Sequence, residues 1–391
     1  MLDYKQALEL ILSVAQELQP EKVNLEDALL RFLASGIFYD TDMPPFNKSA
    51  MDGYACRKQD LNNRLKVIET IPAGKLPVKQ VGENQCSKIM TGAMVPEGAD
   101  FVFKKEDAET VHGELIFCKT REPGNHIVLQ GSDIRQGEEV LPRSTLILAR
   151  HMPVIAGAGI TRPVVFQRPS VAVLATGTEL VPPRMKPLSF QIRNTNSGQL
   201  LAQLAEMKIS PKFGGIVKDE EDVLFERMQE LITENQVILV TGGVSVGDYD
   251  LVPEAIEKLG FKTLITSTAI KPGKPMVFAV KENKYCFGLS GNPVSSYIQF
   301  ELYVKPFLYR MMGHHYQPHK LRLALGVDIR QEFSDRLNFV PANLNSESEI
   351  VPVEFHGSAH IHALPGATHL VEIPAGTKKI KKGETVNVRP L

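Results

Sequence analysis

The sequence predicts a multidomain chain of α/β plus β class, and three observations carry that expectation. Between residues 170 and 312, short β-branched runs alternate with amphipathic stretches, the pattern of a parallel sheet with helices on both faces. On either side of that region the helical period fades, and short runs punctuated by turn residues take over. The length of 391 residues suggests roughly two to four domains.

At the start, residues 3–18 set Ala7, Leu8, Ile11, Val14, Ala15 and Leu18 at helical spacing, with Asp3 placed to cap them. LEDALLRFLASG, closed by Gly36, reads as a second helix. The paired prolines of TDMPPFNKSAMDGYA then bar a helix. Phe46, Met51 and Tyr54 make that loop too apolar for a free linker, so it fits a rigid loop docked on another domain or subunit. From 64 to 150, LKVIET, SKIMTG, DFVFKK, ELIFCK and EVLPRSTLIL read as a small β domain. In the central region VAVLAT, KFGGIV, VILVTG, FKTLIT and YCFGLS read as strands. SGQLLAQLAEM, EEDVLFERMQELITE, Pro253 to Leu259 and PVSSYIQFELYVKPFLYRMMG read as helices, the third with proline first and Gly260 after its end. Beyond GHHYQPHK, the segments LRLALGVDI, EIVPVEF, HLVEIP and ETVNVRP give a C-terminal β domain of about seventy residues.

Composition narrows the function classes. Hydrophobic residues at 43% and charged residues at 23% suit a well-buried core. Lys+Arg 44 against Asp+Glu 45 leaves a net charge of -1, so nothing draws the chain to nucleic acid or an acidic membrane. Any anion site has to be built locally. Cys56, Cys86, Cys118 and Cys286 are scattered without a C-x-x-C pair, which reads as reduced thiols rather than a disulfide framework or zinc site. The N-terminus lacks a basic region of the signal-peptide kind, and no apolar run approaches about 18 residues. A soluble, cytoplasmic protein is expected.

In open α/β sheets, ligands bind beyond the carboxyl ends of the strands, and several such ends here are unusual. VAVLAT runs into GTEL, placing Glu179 there. VILV runs into TGGVSVGDYD, which brings Gly242, Gly243, Ser245, Asp248 and Asp250. No Gly-Lys-Ser/Thr follows, and the glycine spacing is not a dinucleotide fingerprint. CFGLS runs into GNPVSS, placing Ser290, Asn292, Pro293, Ser295 and Ser296 at the mouth of a helix. Glycine turns admit backbone amides to an oxyanion, and a helix N-terminus adds about half a positive charge. Each loop alone reads as readily as a turn. Three at one edge point to a site.

AIKPGKPMVF sets Lys271 and Lys274 on either side of Pro-Gly, two ammonium groups on one bend. Alone this is a solvated turn; beside carboxylates it suits a tetrahedral oxyanion or phosphate with a divalent metal. Asp219, in GIVKDEED, has a solvated helix start as its default reading. Asp52 is either a turn former or a site residue, and Thr91 follows a strand in MTGAMVPEGAD. HGSAHIH places His360 and His362 on one strand face, but no third ligand is evident and no zinc is assigned. No Ser-His-Asp or Cys-His spacing favours nucleophilic catalysis.

Taken in order, PPFNKSAMDGYA, IMTGAMVPEGAD, VLATGTEL, TGGVSVGDYD, IKPGKP and GNPVSS closely resemble the molybdopterin molybdenumtransferase family (MoeA type, also the E domain of gephyrin). The resemblance spans nearly the whole chain. It implies insertion of molybdate into adenylylated molybdopterin, assisted by Mg²⁺, with release of AMP. It implies an elongated homodimer of four-domain subunits with each site formed across the dimer, and a molybdopterin adenylyltransferase as substrate donor. The four parts would be 1–20 with 42–48 and 140–168 (elongated, dimerising), 21–41 with 49–139 (β-rich), 169–318 (three-layer α/β) and 319–391 (β-barrel-like). By the same resemblance, Asp250 with Asp219 and Glu179 would hold the metal or the pterin end. Lys271, Lys274, Ser295, Arg336 and Ser358 would take the molybdate, and Asp52 and Thr91 would come from the partner subunit. The loop residues Gly242, Gly243, Ser245, Asp248, Asn292 and Pro293 would bind substrate. The chain departs from the family at Ser267, at Val128, Leu129 and Gln130, and at Ser290, with fewer cations. An adenylyltransferase, a gephyrin-like scaffold and a tungstate-handling variant are the alternatives.

Overall fold

The computed structural model describes residues 1–113, 115–244, 250–331 and 335–391; Ser245 and Asp248 therefore lie outside the described residues. In the central unit we label the strands β1 (Val171–Thr176), β2 (Lys212–Val217), β3 (Val237–Thr241), β4 (Lys262–Ser267), β5 (Pro275–Lys281) and β6 (Lys284–Leu289). The helices are α1 (Asn196–Glu206), α2 (Glu221–Glu234), α3 (Val252–Lys258) and α4 (Pro293–Gln299).

Why β1 and β3 are apolar up to their closing threonines, Thr176 and Thr241, follows from what covers them. Side chains alternate across a strand. Val171, Val173, Val237 and Leu239 pack with Leu200 and Leu204 of α1 on one face of the sheet. Ala172, Leu174, Ile238 and Val240 pack with Leu224, Met228 and Leu231 of α2 on the other. A strand buried on both faces has no polar positions to show, the signature of a parallel sheet under two helical layers. The sheet order is β2-β1-β3-β6-β5-β4. The first three pairings are parallel, whereas β6-β5 and β5-β4 are antiparallel. The sheet is thus mostly parallel with an antiparallel edge. Strand β5 is absent from the sequence reading, because Lys-Pro-Gly-Lys-Pro masks the buried run Met276–Ala279 behind it.

Four segments depart from expectation. The first helix covers only Tyr4–Ser13, capped by Asp3, and Leu18 instead donates its N–H to the Met311 carbonyl. LEDALLRFLASG forms a single 3₁₀ turn, Leu25–Asp27; Phe32 and Leu33 bridge to Leu146 and Val165 instead. Ordinary helix propensity gives way there because burying Leu33 with Ile37, Ile155 and Val165 requires an extended chain. His360 and His362 do not share a strand: Ile361–Ala363 is a 3₁₀ turn. The long last helix exists but is interrupted by a π segment, Phe300–Val304, ahead of Lys305–Met311. Pro306 supplies the reason, having no N–H to give the preceding turn.

Flanking the central unit are a six-stranded sheet between Gly53 and Cys118 and another six-stranded sheet that is largely C-terminal. The second sheet also recruits Ile270–Lys271, paired in parallel with the start of Leu337–Leu344: Ile270 faces Leu337 and Lys271 faces Asn338. This pairing stitches the lysine bend to the C-terminal unit. Among the described residues, no helix is long and apolar enough to cross a membrane.

Candidate active site

The carboxyl ends of β1, β3 and β6 meet at one rim, and buried polar side chains hold them in register. Asn196, at the start of α1, donates to Thr241 Oγ1 at 2.9 Å and to the Gly291 carbonyl at 2.9 Å. Gln299 is fully buried in α4. Its amide nitrogen donates to the Gly273 and Pro275 carbonyls at 2.9 and 2.7 Å, while its oxygen accepts from Ser290 N at 2.9 Å. One glutamine therefore ties the lysine bend to the Ser-Gly-Asn-Pro loop. Thr268 supports the same bend through Gly273 O at 3.2 Å and Lys274 O at 2.9 Å. Neither Asn196 nor Gln299 stands out in the sequence reading; the available signal was a polar residue on the buried face of a helix. Replacing Gln299 by Leu, which keeps the bulk and removes three hydrogen bonds, is expected to destabilise the fold by about 2–4 kcal/mol, read as a lowered denaturant midpoint at constant slope.

Two cavities open at this rim, of about 1130 and about 810 Å³, and they share Pro275, Ser290 and Asn292. The larger is acidic: Glu179, Asp219 and Asp250 line it together with Gly242, Gly243 and Pro293. The smaller is basic: Lys271, Lys274, Arg330 and Arg336 line it with Ser295, His356 and Ser358. Its acid among the described lining residues, Asp328, is ion-paired with Lys379 at 2.9 Å. Ser295 is buried in the first turn of α4, and the Ser358 carbonyl accepts from Val294 N at 3.0 Å, so the C-terminal unit is pinned to that helix start. Arg336 reaches back to the Ile270 carbonyl at 3.1 Å.

The structure thus gathers most of the expected residues and separates their roles. Asp219 Oδ1 accepts from Thr176 Oγ1 at 2.6 Å and its Oδ2 from Thr178 N at 3.0 Å. It clamps the Thr-Gly-Thr turn after β1, so it is no mere solvated helix start. Asp52 and Thr91 lie together, with Thr91 N and Oγ1 both donating to Asp52 Oδ1 at 2.8 Å. The backbone donor first, then the hydroxyl, hold the Asp52 carboxyl below its ordinary range, aided by Lys105 and Lys88. Neither residue is among the described lining of the two cavities. All four cysteines are free and buried, and burial pushes the thiols of Cys56, Cys86 and Cys286 up to about 12, away from any thiolate chemistry.

With this geometry in view, family models match in order along the chain. They are a MoeA N-terminal region (domain I and II) over 2–159, a probable molybdopterin binding domain over 172–310 and a MoeA C-terminal region (domain IV) over 323–391. A molybdopterin molybdenumtransferase of Staphylococcus epidermidis is 32% identical over 99% of this chain and 95% of its own length. The chain belongs to the molybdopterin molybdenumtransferase family. A relative of the same name from Bacillus subtilis is 33% identical, covering 95% of this chain and 89% of its own. A molybdopterin biosynthesis MoeA protein from Pyrococcus horikoshii superposes over 100% of both chains with a TM-score of 0.86 at 29% identity. Membership confirms the family expected from the six motifs, and the solved relatives confirm the multidomain α/β class.

Proposed function

We propose that the chain inserts molybdate into adenylylated molybdopterin, releasing AMP and giving molybdenum cofactor. The observation that supports this reading is the pair of adjoining chambers of opposite charge with a shared rim. The basic chamber suits a small tetrahedral dianion: Lys271, Lys274 and Arg336 neutralise it, and Ser295 adds a hydroxyl at a helix start. The acidic chamber suits the adenylylated pterin. Its glycine turn at Gly242 and Gly243 admits phosphate oxygens to the backbone, with Asn292 and Pro293 at the rim. Reactants held on both sides of Ser290 and Asn292 are placed side by side, which supplies proximity, and fixed charges stabilise what develops between them.

The carboxylates allow a test of Mg²⁺. Among the described residues no group of three or more His, Cys, Asp or Glu is set to hold a metal. Mg²⁺ commonly takes one or two carboxylates and completes its shell with water and substrate phosphates. Asp250 and Glu179 fit that demand; Asp219 is committed to its turn and would assist from there. When bound, the ion would draw charge from the phosphate being cleaved. We further propose a cytoplasmic homodimer with the four-part domain division given above. In it Asp52 and Thr91 complete the partner's site, and a molybdopterin adenylyltransferase supplies the substrate.

The test is anaerobic incubation with adenylylated molybdopterin, molybdate and Mg²⁺, followed by AMP quantification. Release that depends on molybdate is expected. Consumption of ATP to form the adenylate would turn the assignment to an adenylyltransferase, and absence of both activities would leave a scaffold. Within this reading, Lys271→Gln is expected to raise the half-saturating molybdate concentration by about tenfold or more, the loss of one charge-assisted contact.

A further inference from the structure

The segment Phe355–His362 is the wall between the two chambers. Phe355, His356, Gly357 and Ser358 line the basic one, whereas Ala359, Ile361 and His362 line the acidic one. The crossover falls between Ser358 and Ala359, next to where the Ser358 carbonyl is held by Val294 N. The wall is braced internally as well. His360 N donates to Gly357 O at 3.0 Å, Ala363 N to His360 O at 3.1 Å, and His360 Nδ1 accepts from His356 N at 3.2 Å. The His356 and His360 rings stack at 4.8 Å. His362 is thereby carried on a supported turn into the chamber that holds the carboxylates.

An acidic chamber is a poor host for an anionic substrate unless something in it donates. Among its described lining residues, the nitrogen-bearing basic side chains are Arg193 and His362. Both side chains are exposed, but the Arg193 Nε is already committed to the Met185 carbonyl at 3.1 Å, whereas His362 sits on the braced turn of the wall. An imidazole carries at least one N–H in either protonation state, so His362 donates regardless of its charge. From this placement, and resting on the function proposed above, we propose that His362 is a binding residue for the phosphate-bearing part of the adenylylated pterin. Its role is on that reactant alone, because the wall shields it from the oxyanion chamber.

The test compares His362→Phe, His362→Gln and, as a distant control, His319→Gln in the exposed linker. Half-saturating concentrations are measured separately for adenylylated molybdopterin and for molybdate. The Phe variant is expected to raise the first about fivefold to tenfold and leave the second unchanged, the Gln variant to recover part of the loss through its N–H, and the control to match wild type. A shift of both reactants together would mean that the turn merely shapes the wall, and no shift would remove His362 from the site; either overturns the proposal. Equilibrium dialysis of adenylylated molybdopterin without molybdate, on wild type and the Phe variant, reads the same contact without turnover. If wild-type protein released no AMP, the proposed reaction would fall. Unequal dialysis would still uphold His362, and equal dialysis would overturn it.

Discussion

Asp250→Asn abolishes molybdate-dependent AMP release while the protein stays folded; that is the expected result, a loss of about 10³-fold or more in turnover. The substitution keeps shape and removes one negative charge. Asp250 is half-buried on the wall of the acidic chamber, two residues before α3. Val252, which opens α3, donates its N–H to the Gly243 carbonyl at 3.2 Å, so the backbone two residues beyond Asp250 is tied to the glycine turn. A charge placed that way acts on whatever cation the substrate phosphates carry, and an amide oxygen cannot replace it. The exchange keeps volume and polarity at a half-exposed position, so the variant is expected to stay folded, checked by its melting temperature beside wild type. Asp250→Glu, which restores charge at a longer reach, is expected to recover part of the rate. Wild-type turnover by the Asn variant would remove this aspartate from the reaction.

How much of this was legible in the sequence depends on what each signal measures. Strands β1 and β3 were readable because burial on both faces leaves an uninterrupted apolar run, a purely local mark. Helices α1 and α2 were readable from one apolar stripe each. The segment after Asn24 was not, since its apolar residues are spaced for a helix yet spent on bridges to Leu146 and Val165, partners more than a hundred positions away. The site divides the same way. Glycine and carboxylate clusters after strands announced the acidic chamber. That Lys271 enters a parallel pairing with Asn338, and so faces Arg336 and Ser358 across a cavity, is a long-range fact that composition does not encode. Asn196 and Gln299 are polar residues inside apolar patterns whose partners are backbone carbonyls of distant loops. Only the fold supplies those partners.

Gly242→Ala should be the most damaging single-methyl change at the rim, and its companion Gly74→Ala shows why. Both glycines sit at positive φ, +97° and +81°. An L-residue at either one is strained by about 1 kcal/mol. They differ in what a Cβ would meet. At Gly74 nothing lies within 4 Å, whereas at Gly242 the Thr176 carbonyl oxygen is 2.2 Å away. That oxygen belongs to the end of β1, beside the Thr176 hydroxyl that grips Asp219, and it cannot rotate aside as a side chain can. To admit the methyl, the ends of β1 and β3 must part, carrying Asp219 and the glycine turn away from each other. The expected cost is about 3 kcal/mol or more in unfolding free energy, with AMP release down by at least about a hundredfold in whatever remains folded. Gly74→Ala should lose about 1 kcal/mol and keep its activity. Equal losses in the two variants, measured by denaturant midpoint, would show that backbone strain alone is at work. The close approach of the two strand ends would then not be what holds the chamber in shape.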